Sequence, residues 1–214
     1  MRGLTTMTAT SPDLLDAASA EEVLAYAVER FYPRLKLACS FQKEESVLIH
    51  MLRTIEPDVR VFMIDTGVLF AETFETWKRF EERFGVHIEV VDARSPDEPW
   101  TFARCCGEAK VDALERALAG VEAWITGIRR EQAPTRAGAA KLERDSRRGI
   151  WKVNPLADWS EKDLWRYVFE HDLPYHPLHD RGYASIGCEP CTQPGEGREG
   201  RWAGLDKIEC GLHE

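Results

Sequence analysis

Leu35-Lys36-Leu37-Ala38-Cys39-Ser40-Phe41-Gln42-Lys43-Glu44-Glu45 decides the fold. Its first five residues read as a short buried strand and Ser40 to Glu45 as a polar turn. Val47, Leu48, Met51, Leu52 and Ile55 then recur on one face of a helix. Working outward, the same unit repeats. Val59 to Ile64 reads as a second strand, with Asp65-Thr66-Gly67 at its end and a helix marked by Phe74, Trp77 and Phe84 behind it. Val86 to Val91 gives a third strand ending at Asp92. Lys110 to Ala119 is helical in pattern, and Ala123-Trp124-Ile125-Thr126 and Ile150 to Val153 supply two more strands. Upstream, Ser19-Ala20-Glu21-Glu22 has the form of a capping box for a helix carrying Leu24, Ala27, Val28 and Phe31, which ends near Pro33. Ser160 caps a last helix, with Leu164, Trp165, Val168 and Phe169 expected inward. Alternating strands and helices predict an α/β fold: a mostly parallel sheet of five to six strands with helices on both faces. From His171 onward Pro and Gly interrupt the chain too often for regular elements. We therefore divide it into a flexible N-terminus (1–18), a nucleotide-binding α/β domain (19–170) and a loop-rich C-terminal segment (171–214).

Sheets of this kind take ligands at the carboxyl ends of their strands, where Ser40, Asp65, Asp92 and Arg129 fall. Ser40 to Glu45 sits where a phosphate loop would sit, but it has no glycine and no Gly-Lys-Ser/Thr ending, and by itself it reads equally well as an ordinary turn. Gly127-Ile128-Arg129-Arg130-Glu131-Gln132-Ala133-Pro134-Thr135-Arg136 brings three arginines just past a strand. Their forked donors match phosphate and sulfate oxygens, although a solvated loop of ion pairs is the plainer alternative. Arg198 and Arg201 add positive charge from the C-terminal segment.

Cys105-Cys106 is answered some eighty residues later by Cys188-Glu189-Pro190-Cys191. Adjacent cysteines point in different directions and serve one small tetrahedral ion badly, whereas an iron–sulfur cube offers a separate iron to each thiolate. A four-thiolate cluster is the first reading; a zinc site and unconnected thiols are the alternatives. On a helix starting at the pair, Lys110 would be held near both cluster and cleft. Cys210, flanked by Glu209 and Gly211, is a mobile thiol that acts as a nucleophile only if nearby cations activate it; an inert exposed cysteine is the alternative. Cys39 reads as a small buried apolar residue.

With 214 residues, 43% of them hydrophobic, the chain can bury one substantial core. Its net charge of −9 argues against a general nucleic-acid or anionic-membrane surface, since either needs a broad positive field. No apolar run approaches a membrane span, and Met1 to Ser11 lacks the apolar core of a signal peptide. Six cysteines, unevenly placed, fit metal or redox work in a reducing compartment better than a disulfide scaffold. A cytoplasmic protein is expected.

These residues resemble the assimilatory adenylyl-sulfate and phosphoadenylyl-sulfate reductases, from about Cys39 to His213. Ser40-Phe41 looks like the family's modified pyrophosphate loop. Asp65-Thr66-Gly67 with Glu72-Thr73, and Arg129-Arg130 with Gln132, Thr135 and Arg136, resemble two further segments. The most specific likeness lies in Lys152-Val153-Asn154-Pro155-Leu156, Pro177-Leu178-His179-Asp180-Arg181-Gly182-Tyr183, Ser185-Ile186-Gly187-Cys188 and Glu209-Cys210-Gly211-Leu212-His213. Cys105, Cys106, Cys188 and Cys191 are similar to the pattern of the cluster-bearing branch, associated chiefly with adenylyl sulfate. Two stretches depart from the family: Gln42-Lys43-Glu44-Glu45 replaces small, Gly-rich residues, and Gly107-Glu108-Ala109 stands where members often carry basic ones.

The resemblance implies an adenine nucleotide alpha hydrolase-like fold and one 4Fe-4S cluster on the four cysteines. It implies Cys210 as nucleophile and Ser40, Phe41, Asp65, Thr66, Gly67, Lys110, Gly127, Arg129, Arg136, Arg198, Arg201 and His213 as substrate contacts. Adenylyl sulfate is the implied substrate and reduced thioredoxin, or glutaredoxin, the implied donor; a homo-oligomer is left open. The alternatives are a reductase that also accepts phosphoadenylyl sulfate, or a cluster-bearing tRNA-thiolating relative. The second would want an ATP loop and a basic RNA surface, and the sequence has neither.

Overall fold

The computed structural model describes residues 12–94, 101, 108–202, 209 and 212. Its centre is a six-stranded sheet in the order β3-β2-β1-β4-β6-β5. The strands are β1 (Leu35–Ala38), β2 (Arg60–Asp65), β3 (Ile88–Asp92), β4 (Ala123–Ile125), β5 (Leu142–Asp145) and β6 (Ile150–Val153). All neighbours are parallel except β5 and β6. The expected α/β architecture is therefore present, with one strand beyond the five traced in the sequence. β5, Leu-Glu-Arg-Asp, has a single buried apolar residue, Leu142. It escapes a search for hydrophobic periodicity because it is an edge strand, where charged side chains discourage pairing with another chain.

The helices are α1 (Pro12–Asp16), α2 (Ala20–Phe31), α3 (Lys43–Ile55), α4 (Ala71–Phe84), α5 (Glu108–Ala117) and α6 (Glu161–Glu170). Successive strand residues point to opposite faces, and the core divides accordingly. Val61 and Met63 of β2 join Leu35 and Leu37 in a large core with α2, α3, α4 and α6. Phe62 turns the other way, to Leu114 and Ala117 of α5 and to Trp124. Cys39 is buried as expected, and burial pushes its thiol well up. The Ser19 and Ser160 capping boxes both form.

Two expectations need correction. Phe169 does not face inward; it is 66% exposed and stacks on Trp165 at 5.4 Å, because it lies about 100° round the helix from the buried Val168. Within the stretch read as a flexible N-terminus, α1 is docked: Leu15 is buried, and Asp16 accepts from Arg130 at 2.7 Å and from the Lys141 backbone N–H at 3.0 Å. Among the described residues, no helix is long and apolar enough to cross a membrane.

Candidate active site

β1 pairs with β2 on one side and β4 on the other, so the strand order reverses between β1 and β4. The loops leaving such a switch point diverge and open a crevice at the carboxyl edge. A cavity of about 480 Å³ lies there, lined by both loops, by Lys110 of α5 and by Arg198, Arg201 and Ala184 to Cys188 of the C-terminal segment.

The loop from β1 to α3 is closed by its own helix. Glu45 Oε2 accepts from the Ser40 backbone N–H at 3.3 Å, the Ser40 hydroxyl at 2.9 Å and the Gln42 backbone N–H at 3.0 Å. Burial, reinforced by the neighbouring Glu44 charge, pushes Glu45 up to about 7. Burial also opposes ionisation of Glu44, but the Lys43 and Arg129 charges overcome it and hold that carboxyl at about 2. Phe41 adopts φ of 61°, a left-handed conformation uncommon outside glycine, and buries its ring against Trp77 and Phe80. Its side chain belongs to the core. Gly127, on the opposite loop, is required by close approach: a Cβ there would stand 2.6 Å from Glu45 Oε1. The departures from the family loop also tie the site together. Gln42 Oε1 accepts from the Ile186 N–H at 2.9 Å, and Lys43 donates to the Ala184 carbonyl at 3.2 Å.

The arginines divide by role. Arg129 is buried; its Nε donates to Glu44 at 3.0 Å, its Nη2 to Glu161 and its Nη1 to the Trp159 carbonyl at 3.3 Å. It fastens α3 to α6. Arg130 reaches Asp16 instead. Arg136 grips Glu209 through two bonds, at 2.8 and 2.9 Å, and donates to Gln132 as well. Arg198 donates to the same carboxylate at 2.9 Å, and the Thr135 hydroxyl donates to it at 3.1 Å. Burial would raise the Glu209 pKa, but Arg136, Arg198 and the Thr135 hydroxyl together outweigh it, and the carboxyl is held below its ordinary value. The Glu209 charge, which would otherwise oppose a thiolate at the next residue, is thus paired with two arginines. Arg201 lies across Gly187 and over the Trp202 ring at 4.6 Å, donating to the Ser185 hydroxyl and the Ile186 carbonyl.

Asp65, Thr66 and Gly67 do not line this cavity. The Asp65 carboxylate accepts from the Gly67 N–H at 2.7 Å, and Arg94 covers Gly67. The Thr66 hydroxyl lies 3.1 Å from Cys188 Sγ. Cys188 and Cys191 flank a 3-10 turn, Glu189–Cys191, and are buried with Trp202 among Val68, Leu69 and Leu212. A bridge from Leu69 to Cys188 fixes that turn to the loop after β2. Two buried thiols with two residues between them, in an apolar shell with a hydroxyl beside one sulfur, suit thiolate ligands of a cluster or a metal. Cys105, Cys106, Cys210 and His213 lie outside the described residues. Among the described residues no three His, Cys, Asp or Glu are grouped to hold a metal ion.

Glu44, Glu45, Glu161 and Glu209 are site residues that the reading of the sequence did not include. Glu45 had a local signal, as the third residue of a helix behind a polar cap, and Glu209 stood in the Glu209-Cys210-Gly211-Leu212-His213 stretch. The same region holds two neutral histidines. Burial, then the neighbouring His179, pushes His176 down to about 4. Burial, then the Lys43 charge, does the same to His179. The unfolded chain takes up these protons near the ordinary value of 6.5 and the folded chain only near 4, so their contribution to stability falls as pH drops through that window. Glu45, raised to about 7, works in the opposite sense between 4.5 and 7. A His176→Gln variant is expected to lose less melting temperature between pH 7 and pH 5 than the wild type does; an unchanged difference in a thermal melt series would contradict this assignment.

Residues 34–194 match the phosphoadenosine phosphosulfate reductase domain. The chain is 42% identical over 209 residues to an adenosine 5'-phosphosulfate reductase of Lysinibacillus sphaericus, covering 90% of each. It is 41% identical over 207 residues to a protein of the same name from Salinibacter ruber, covering 89% of this chain and 82% of the relative. Among solved structures, the phosphate complex of phosphoadenylyl-sulfate reductase from Candida auris superimposes with a TM-score of 0.71 at 27% identity, over 87% of this chain and 99% of that one. Candida glabrata FMN adenylyltransferase shares the fold alone, with a TM-score of 0.65 at 14% identity over 89% of this chain and 68% of that one.

Proposed function

The chain belongs to the phosphoadenosine phosphosulfate reductase domain family, and from that premise we propose that it reduces adenylyl sulfate to sulfite and AMP in cytoplasmic sulfate assimilation. Membership makes it an oxidoreductase acting on a sulfate nucleotide. Adenylyl sulfate is favoured over its 3'-phosphorylated form because the relatives named above are adenosine 5'-phosphosulfate reductases. The observation that carries the mechanism is Glu209: it is bonded to Arg136 and Arg198, both of which line the cavity, and the next residue in the chain is Cys210.

In this mechanism the Cys210 thiolate attacks the sulfate sulfur. A sulfur–sulfur bond forms, the bond from that sulfur to the bridging oxygen breaks, and AMP leaves with the electron pair. A thiolate of reduced thioredoxin then attacks Cys210 Sγ, sulfite departs, and the second thioredoxin thiol resolves the mixed disulfide. The two electrons come from the thioredoxin dithiol. Lys110, Arg136, Arg198 and Arg201 oppose the repulsion between thiolate and substrate anion, an electrostatic role. Arg129 instead maintains the wall that carries Glu44. A 4Fe-4S cluster on Cys105, Cys106, Cys188 and Cys191 would supply fixed charge beside the cavity rather than electrons.

The test is an assay of anaerobically purified protein with adenylyl sulfate and reduced thioredoxin, with iron and acid-labile sulfide counted on the same sample. Sulfite and AMP in equal amounts, with about four irons and four sulfides per chain, are the expected result. Zinc in place of iron would remove the cluster from the account, and no sulfite from an iron-loaded sample would remove the reaction.

A further inference from the structure

We propose that Glu45 is a specificity-determining residue, whose carboxylate fills the backbone anion nest between β1 and α3 and so bars nucleoside polyphosphates from the cavity. This rests on the nucleotide reading of the cavity given above. Where a parallel strand runs into a helix, free N–H groups and the positive end of the helix dipole attract a phosphate. Here two of those N–H groups, and a hydroxyl beside them, are taken. One oxygen of Glu45 accepts from the Ser40 N–H, the Ser40 hydroxyl and the Gln42 N–H.

An ordinary capping box would look the same on a solvent-exposed helix. This one differs in that Glu45 is only 5% exposed and lines the cavity. Its other oxygen fills the room left by the missing side chain of Gly127. Glu44 adds a second carboxylate next to it, held ionised by Lys43 and Arg129. A chain of phosphates following the usual course into this loop would meet filled donors and negative charge. Apart from Arg129, which is bonded to Glu44 and Glu161, the lining cations Lys110, Arg136, Arg198 and Arg201 come from α5, the arginine loop and the C-terminal segment. A nucleotide whose charge sits on one short phosphate–sulfate anhydride can use those cations; a triphosphate needs the nest as well.

Calorimetric titration of AMP and ATP into the full-length chain tests this. The wild type is expected to bind AMP and to bind ATP at least tenfold more weakly. Glu45→Gln keeps an acceptor oxygen but removes the charge, and Glu45→Ala empties the nest. The ATP-to-AMP affinity ratio should therefore rise in the order wild type, Gln, Ala, by at least tenfold overall. Damage to the fold lowers both affinities together and leaves the ratio alone, so partial unfolding cannot imitate the result. Equal binding of AMP and ATP by the wild type, or an unchanged ratio in both variants, overturns the role of Glu45 while the nucleotide reading stands. A wild type that binds neither nucleotide overturns that reading, and this inference with it.

Discussion

Cys210→Ser is expected to release no sulfite from adenylyl sulfate and thioredoxin, a loss of about a thousandfold or more, while AMP binding stays within about twofold of wild type. A serine hydroxyl at neutral pH is almost wholly protonated and forms no sulfur–sulfur bond, so the first step has no substitute nucleophile. Affinity should survive because the cavity walls are built by the loops after β1 and β4, by α5 and by residues 184–201. A companion variant separates attack from placement. Glu209 makes bonds to Arg136, Arg198 and Thr135, and charge-assisted bonds of this kind contribute about 1.5 to 3 kcal/mol each. Glu209→Ala should keep the nucleophile but lower kcat by about ten- to a hundredfold through its misplacement. Sulfite production by Cys210→Ser at the wild-type rate would eliminate Cys210 from the chemistry. Full activity in Glu209→Ala would show that the arginine contacts have no part in it.

Arg129→Met should destabilise the protein by about 3 to 5 kcal/mol in denaturant unfolding, because it strands buried negative charge. Arg129 is 3% exposed and faces Glu44, itself 3% exposed, with Glu161 on its other side. Removing the guanidinium leaves Glu44 with Lys43 as its remaining cationic neighbour, already shared with Glu161 and the Ala184 carbonyl. Methionine fills much of the volume, so the loss is electrostatic rather than a cavity. The double variant Arg129→Met with Glu44→Gln should recover a large part of that stability, since a neutral amide no longer demands a counter-charge. A single variant within about 1 kcal/mol of wild type would return Arg129 to the anion-binding role that its place in the sequence implied.

That reassignment illustrates where sequence sufficed. The strand–turn–helix pattern from Leu35 to Ile55, the capping boxes at Ser19 and Ser160 and the apolar strands after them are local. Periodicity and caps report them directly, and the parallel sheet with its crevice between β1 and β4 follows. β5 escaped because an edge strand carries charge for reasons unrelated to its own burial, and α1 because five residues hold too little periodicity to register. Phe169 was misplaced because one residue of helical rotation separates a buried face from an exposed one.

Which charges meet is a different kind of fact. Three arginines in one loop look alike in sequence, yet Arg129 is satisfied by α3 and α6, Arg130 by α1, and Arg136 by a carboxylate 73 residues away. Ser40 looks like an anion donor in sequence, yet its N–H and hydroxyl are both bonded to Glu45. Thr66 looks like a nucleotide contact until the turn at Cys188 is found beside it. Sequence alone determined the sheet, the position of its crevice and the family, because short-range pattern and rare motif residues carry that information. Only the tertiary structure decided which cations face the cavity, because pairing between buried charges depends on distances set by the packing of whole elements, and no local spacing encodes them.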